Sequence, residues 1–154
     1  MKAQDAFPHL LSDAVIDQFN QEGFIATPEV FSATELRTLG HAVDDEVSKR
    51  SAHDTREVGQ KSTYEQSFVQ CMRLWETNSV VRDFVCDGRL AGMAAQLLKV
   101  PSVRLWQDQA LYKESGGRET DAHQDQTFWP IGDAPLLSVW IPFDAVARNN
   151  GAMA

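Results

Sequence analysis

The chain is poor in cysteine and lacks long apolar runs. Its 154 residues include two cysteines, Cys71 and Cys86, whose spacing fits neither a disulfide-rich secreted scaffold nor a paired-cysteine zinc site. We expect both thiols to be reduced and to serve packing. The absence of a long apolar run predicts no membrane-spanning segment, and residues 1–9 lack the apolar core of a signal peptide. These features favour a cytoplasmic location.

Positive charge is also scarce. The chain has 14 lysines and arginines and 22 aspartates and glutamates, which gives a formal net charge of -8. Such a surface repels phosphate backbones and predicts no nucleic-acid partner. The 43% hydrophobic content is ordinary for a globular protein, and the chain shows neither internal repeats nor low-complexity tracts. Residues 1–154 are therefore predicted to form a single domain.

Residues 1–100 are predicted to be mainly helical, because apolar residues recur there at helical spacing between capping signals. The capping signals are Ser12 and Gly23 around a first helix and a Ser32–Glu35 capping box for a second. A third helix is predicted after Asn78, and a fourth in the alanine- and leucine-rich run at 90–98. The polar stretch 49–62 offers almost no apolar residue to a core. We expect it to be a mobile loop.

From Val103 the pattern changes to the two-residue period of strands. Residues 103–113 present two mixed faces, which suits either a sheet around a polar pocket or a surface strand with one solvated face. Residues 136–143 alternate more clearly, with Ser138 and Trp140 on one face. The other face is an apolar row predicted to be buried: Leu137, Val139, Ile141 and Phe143.

His123 and Asp125 are the candidate metal ligands. In an extended strand these two side chains face the same way, and we expect them to converge near Trp140 and Gln109. They would supply two of the three ligands of a two-His-one-carboxylate iron site. All other histidines of the chain precede this motif. A lone His-x-Asp triplet is weak on its own, and the alternative is an exposed histidine beside a solvated aspartate.

The segments around this motif resemble the phytanoyl-CoA dioxygenase family in order and spacing. They are residues 67–70, 74–76, 103–113, 116–117, 123–130, 139–144 and 150–151. Members of that family are iron(II) and 2-oxoglutarate oxygenases. The resemblance implies an α+β fold in which amino-terminal helices precede a jelly-roll (cupin-like) double-stranded β-helix, with residues 101–154 as its first half. The family's second metal-binding histidine and its 2-oxoglutarate-binding arginine are expected beyond Ala154, so the chain is predicted to be truncated.

The resemblance also assigns site residues and cofactors. It implies cofactor contacts for Gln109 and Trp140, a position between the ligands for Gln124, and a further cofactor-binding candidate in Gln70. Ordinary hydrogen bonding is the alternative for both Gln109 and Gln70. The implied cofactors are Fe(II) and 2-oxoglutarate, with ascorbate as a candidate addition, and the implied substrate is a small organic molecule.

Three functions stay open on these grounds: a hydroxylase of this type, a non-catalytic fragment or degenerate relative, and a cupin-like metal or sugar binder. Two protein ligands hold an ion less tightly than three, so we expect the chain alone to be inactive towards 2-oxoglutarate. Asn149, Asn150 and Gly151 predict a hairpin turn with almost no chain after it to form the returning strand. Completion by another segment or a second copy is therefore open, and the oligomeric state is unknown.

Overall fold

The computed structural model describes residues 10–132 and 135–153. Its helices there are α1 (Asp13–Glu22), α2 (Ala33–Ser51), α3 (Ser79–Val85) and α4 (Gly88–Leu98). Short 3₁₀ turns lie at Val58–Gln60, Leu74–Glu76 and Asp125–Phe128. Strands β1 (Val69–Met72) and β2 (Gln109–Tyr112) pair antiparallel as a ribbon, with Cys71 opposite Ala110. The result is a mixed helical and strand structure.

The helices begin and end where local chemistry predicts. The Ser12 hydroxyl caps α1, which ends at Gly23 with a φ of 81° that suits glycine. Ser32 and Glu35 form the predicted capping box at the start of α2. The Asn78 side chain accepts two backbone N–H groups at the start of α3. The predicted ends of α1 and start of α2 are confirmed, because a cap depends only on neighbouring residues. The helix predicted after Asn78 is also confirmed, but the sequence analysis did not identify Asn78 as its cap.

The core lies between α2, α3 and one face of the ribbon. Its buried members are Leu39, Val43, Val47, Cys71, Leu74, Val81 and Ala110. Both cysteines are free thiols, as predicted. Only Cys71 is buried, whereas Cys86 is exposed, so the predicted packing role is wrong for Cys86.

Trp75 packs against this core at the edge of the ribbon. Its backbone N–H donates to the Asp108 carboxylate at 3.4 Å, and partial burial raises the pKa of Asp108. The indole Nε1 of Trp75 is buried and has no hydrogen-bond partner in the described part of the chain. Trp75 is thus a partly buried residue beside the core, with one buried polar atom that is unpaired among the described residues.

Arg50 joins the end of α2 to the end of β1. Its guanidinium donates to the Met72 carbonyl and to the Thr77 hydroxyl, both at 2.6 Å. The Thr77 hydroxyl in turn donates to the buried Glu46 carboxylate at 2.9 Å. This hydrogen bond, with smaller effects of Lys49 and Arg50, lowers the pKa of Glu46. The ribbon is therefore fixed to α2 by a charged network as well as by apolar packing.

Arg89 makes a similar connection between the starts of α4 and α2. It donates to Glu35 at 2.7 Å and to Asp87 at 2.9 Å and 3.0 Å. The guanidinium also lies 4.3 Å from the centre of the Phe31 ring, a favourable cation–π geometry. These contacts connect two helix starts through one side chain.

The predicted strands form only in part. Within 103–113 only Gln109–Tyr112 is a strand, and 136–143 forms no regular secondary structure. The predicted burial of the apolar row is wrong at Val139 and Phe143, which are 54% and 40% exposed. A strand needs a partner backbone, and β1 with β2 is the only ladder among the described residues. The jelly roll is therefore not confirmed.

The polar stretch 49–62 contains more regular structure than predicted. Its first residues belong to α2, so the loop prediction is wrong up to Ser51. Arg56 pairs with Asp54 at 2.8 Å and with Glu65 at 2.7 Å. The mobility of the remaining residues stays a prediction.

In the described ranges, no helix combines the length and apolarity needed to cross a membrane.

Candidate metal centre

His123 and Asp125 form the nearest arrangement to a metal site. His123 Nε2 lies 3.3 Å from Asp125 Oδ1, and the two side chains are 45% and 40% exposed. Two ligand atoms bound at right angles to one ion, each at about 2.1 Å, lie about 3 Å apart. The imidazole and the carboxylate therefore fit as two ligands of a single divalent ion.

The orientation of the His123 ring is fixed by the backbone. Its Nδ1 lies 2.8 Å from the Asp121 carbonyl oxygen. A carbonyl can only accept, so Nδ1 donates its proton, and the neutral ring keeps a lone pair on Nε2. The Nε2 lone pair faces the carboxylate oxygen Oδ1 of Asp125. These two electron-rich atoms repel each other unless a cation or a proton lies between them. The ring edge also packs against Phe128, with ring centres 5.9 Å apart.

The second oxygen of Asp125 has a partner of its own. The Ser138 hydroxyl donates to Asp125 Oδ2 at 2.6 Å. This leaves Oδ1 directed at His123. The alternation of 136–143 placed Ser138 on the Trp140 face, but nothing in that pattern identified it as a partner of Asp125. The pairing arises from the three-dimensional structure alone.

The local conformation differs from the predicted one. His123 lies outside regular secondary structure, and Asp125 begins the 3₁₀ turn Asp125–Phe128. The Thr127 N–H bonds to the Gln124 carbonyl instead of to a neighbouring strand. The prediction of one strand across the motif is wrong, because the segment forms a local turn where no partner strand pairs with it. The two side chains nevertheless converge.

Gln70 and Gln109 form a separate polar group on the ribbon face opposite the core. Gln70 Nε2 donates to Gln109 Oε1 at 2.8 Å, and the Tyr64 hydroxyl donates to Gln70 Oε1 at 3.0 Å. Met72 and Leu111 share this face and are exposed. The face opposite the core is thus open and mixed in polarity.

The other predicted site residues are solvent-accessible. Gln124 and Trp140 are both exposed. No hydrogen bond or ion pair joins these residues, or the ribbon glutamines, to the His123–Asp125 pair in the described ranges. Among those residues, moreover, no group of three His, Cys, Asp or Glu side chains could hold a metal. The predicted contacts with a cosubstrate stay predictions.

Lys113 fastens the segment that leads to His123. Its Nζ donates to the Thr120 hydroxyl at 2.9 Å and to the Arg118 carbonyl at 3.0 Å. The Arg118 N–H reaches the Gln66 carbonyl at 2.9 Å. The segment before His123 is therefore held by hydrogen bonds to Lys113, which directly follows β2, and to the segment before β1.

The chain is similar in sequence to known oxygenases. The model of the family described as phytanoyl-CoA dioxygenase matches residues 19–154. A methylphosphonate hydroxylase of Gimesia maris is 30% identical over 148 residues, covering 93% of this chain and 55% of that protein. The chain thus spans about half the length of this curated relative. No solved structure shows a significant match. With the match extending over most of its length, the chain belongs to the phytanoyl-CoA dioxygenase family.

Proposed function

We propose that this chain is part of an Fe(II)- and 2-oxoglutarate-dependent dioxygenase that hydroxylates a small organic molecule. The observation that carries the proposal is the 3.3 Å approach of His123 Nε2 to Asp125 Oδ1. Family membership supports oxygenase chemistry. The similarity to the methylphosphonate hydroxylase of Gimesia maris supports hydroxylation of a small molecule.

In this proposal each residue of the pair has one task. His123 Nε2 and Asp125 Oδ1 would hold the iron, and the carboxylate would offset part of its charge. Bound iron would activate dioxygen, the oxidant of the hydroxylation, with 2-oxoglutarate as the co-reductant. The Asp121 carbonyl keeps the imidazole in the tautomer that can bind. Gln109, Trp140, Gln124 and Gln70 would contact the cosubstrate.

The test begins with metal binding by the 154-residue chain. Mn(II), which serves as a redox-stable substitute for Fe(II), is titrated and the free ion followed by electron paramagnetic resonance. Asp125→Ala should weaken binding by at least about 10-fold, because it removes a direct ligand. Asp17→Ala, which changes another exposed aspartate on α1, should leave binding unchanged. Equal binding by wild type and Asp125→Ala would contradict the proposal.

Turnover is the second measurement. Succinate formed from 2-oxoglutarate with Fe(II) and oxygen is compared between the chain and a form extended to the length of the Gimesia maris relative. We expect turnover in the extended form and little in the chain, with loss on Asp125→Ala. Metal binding without succinate in either form would favour the cupin-like binder. Neither metal binding nor succinate would favour a non-catalytic relative.

A further inference from the structure

The two oxygens of the Asp125 carboxylate have different surroundings. Oδ1 lies 3.3 Å from His123 Nε2, whereas Oδ2 accepts the Ser138 hydroxyl at 2.6 Å. A hydroxyl bound to a carboxylate at this length is a strong, charge-assisted hydrogen bond. The carboxylate is therefore held in one rotational state.

This asymmetry matters for a two-His-one-carboxylate site. Such a site works with positions left open for other ligands, and a carboxylate that binds through both oxygens takes one of those positions. The Ser138 hydroxyl bonds to Oδ2 and makes that oxygen a weaker metal ligand, whereas Oδ1 stays turned to the imidazole.

We propose that Ser138 is a positioning residue that restricts Asp125 to metal binding through its single oxygen Oδ1. This rests on the proposed function, since it assigns a role around the same pair. Ser138 acts through Asp125 and touches neither the ion nor the substrate.

A purely structural role for Ser138 has little support in its surroundings. Ser138 is exposed, it belongs to no helix or strand, and it is absent from the buried core. Its hydroxyl donates to Asp125, and the described ranges show no hydrogen bond from it to another side chain. Loss of the hydroxyl should therefore leave the fold intact.

The test compares Ser138→Ala, Ser138→Thr and the control Ser102→Ala, which changes an exposed serine outside the site. Mn(II) affinity is measured by the same titration as above. Ser138→Ala should weaken it about 10- to 100-fold, the usual effect of removing a hydrogen-bond partner of a metal ligand. Ser138→Thr keeps a hydroxyl and should restore binding to within a few-fold of wild type, and Ser102→Ala should match wild type.

A metal-free measurement separates this inference from the proposed function. Amide hydrogen exchange in the turn Asp125–Phe128 should be faster in Ser138→Ala than in wild type, and normal in Ser138→Thr. If wild type binds Mn(II), and Ser138→Ala matches it in affinity and exchange, the role of Ser138 is overturned and the proposed function stands. If exchange changes as expected but no variant, including wild type, binds Mn(II), the proposed function and the metal role of Ser138 both fall.

Discussion

At Gly117 the segment before His123 passes close to the rest of the chain. A Cβ built there would lie 2.9 Å from the Gln66 carbonyl oxygen and 3.0 Å from that of Glu114. Both atoms belong to the backbone, so neither can move as a flexible side chain would. Only a residue without a side chain allows this approach.

We therefore expect Gly117→Ala to lower the free energy of unfolding by about 1–3 kcal/mol, the range for overpacked positions. The matched control is Gly59→Ala, where a Cβ would meet no atom within 4 Å and the change should stay within about 0.5 kcal/mol. Urea denaturation measures both variants. Equal free energies of unfolding for Gly117→Ala and Gly59→Ala would show that Gly117 does not lie this close to the two backbone carbonyls.

Among the elements, the joint between α2 and the ribbon depends on Arg50. Arg50→Ala removes charge-assisted bonds to the Met72 carbonyl and the Thr77 hydroxyl and leaves Glu46 without one of its basic neighbours. Because Arg50 is partly exposed, we expect a moderate loss of about 1–3 kcal/mol. Arg37→Ala is the control, since within the described part of the chain the Arg37 side chain bonds only to Thr34 of its own helix. An equal loss of stability in Arg50→Ala and Arg37→Ala would contradict the role of Arg50 in connecting α2 to the ribbon.

The contact of Arg89 with Glu35 gives the helix pair a pH dependence. Hydrogen bonds from Arg89, and then from Ser32, lower the pKa of Glu35 from the usual 4.5 to about 2. A carboxylate with a lowered pKa stabilises the fold fully above pH 4.5 and loses that effect as the pH falls through about 2. The stabilisation therefore belongs to the ionised form.

We expect Glu35→Gln to be less stable than wild type near neutral pH, with the difference shrinking as the pH falls from 4.5 towards 2. Unfolding free energies measured across this range test the expectation. Glu22→Gln, at the exposed end of α1, should show no such convergence. If the free energies of unfolding of Glu35→Gln and wild type differed by the same amount at every pH, the expected loss of stabilisation at low pH would be contradicted.

Across the whole molecule, burial is uneven. α2 contributes Leu39, Val43 and Val47 to the core, whereas 135–153 is mostly exposed. Segments with few buried apolar contacts open most easily. We expect limited proteolysis to cut 135–153 before α2, and hydrogen exchange to be slowest in α2. A first cut inside α2 would contradict this distribution of stability.

The sequence predicts the helical half of this molecule far better than the rest. Caps such as Ser12 and Ser32 act on their own neighbours, whereas a strand at 136–143 depends on a partner that no local pattern reveals. For the site, the sequence identified His123 and Asp125 by type and spacing. It could not identify Asp121, which acts through its carbonyl. Ser138 was also missed, because its contact with Asp125 joins residues far apart in the chain.

The unpaired indole of Trp75 gives the protein an internal optical reporter. An indole N–H sealed from water emits at shorter wavelengths and is poorly quenched by acrylamide, while Trp106 and Trp140, 44% and 46% exposed, should emit further to the red and be quenched readily. The fourth tryptophan, Trp129, is partly buried, so a Trp129→Phe variant is needed to separate the buried and exposed emission by colour. Loss of the blue component would mark loss of the core, and a change confined to the red component would mark an event at the open surface while the core stays intact.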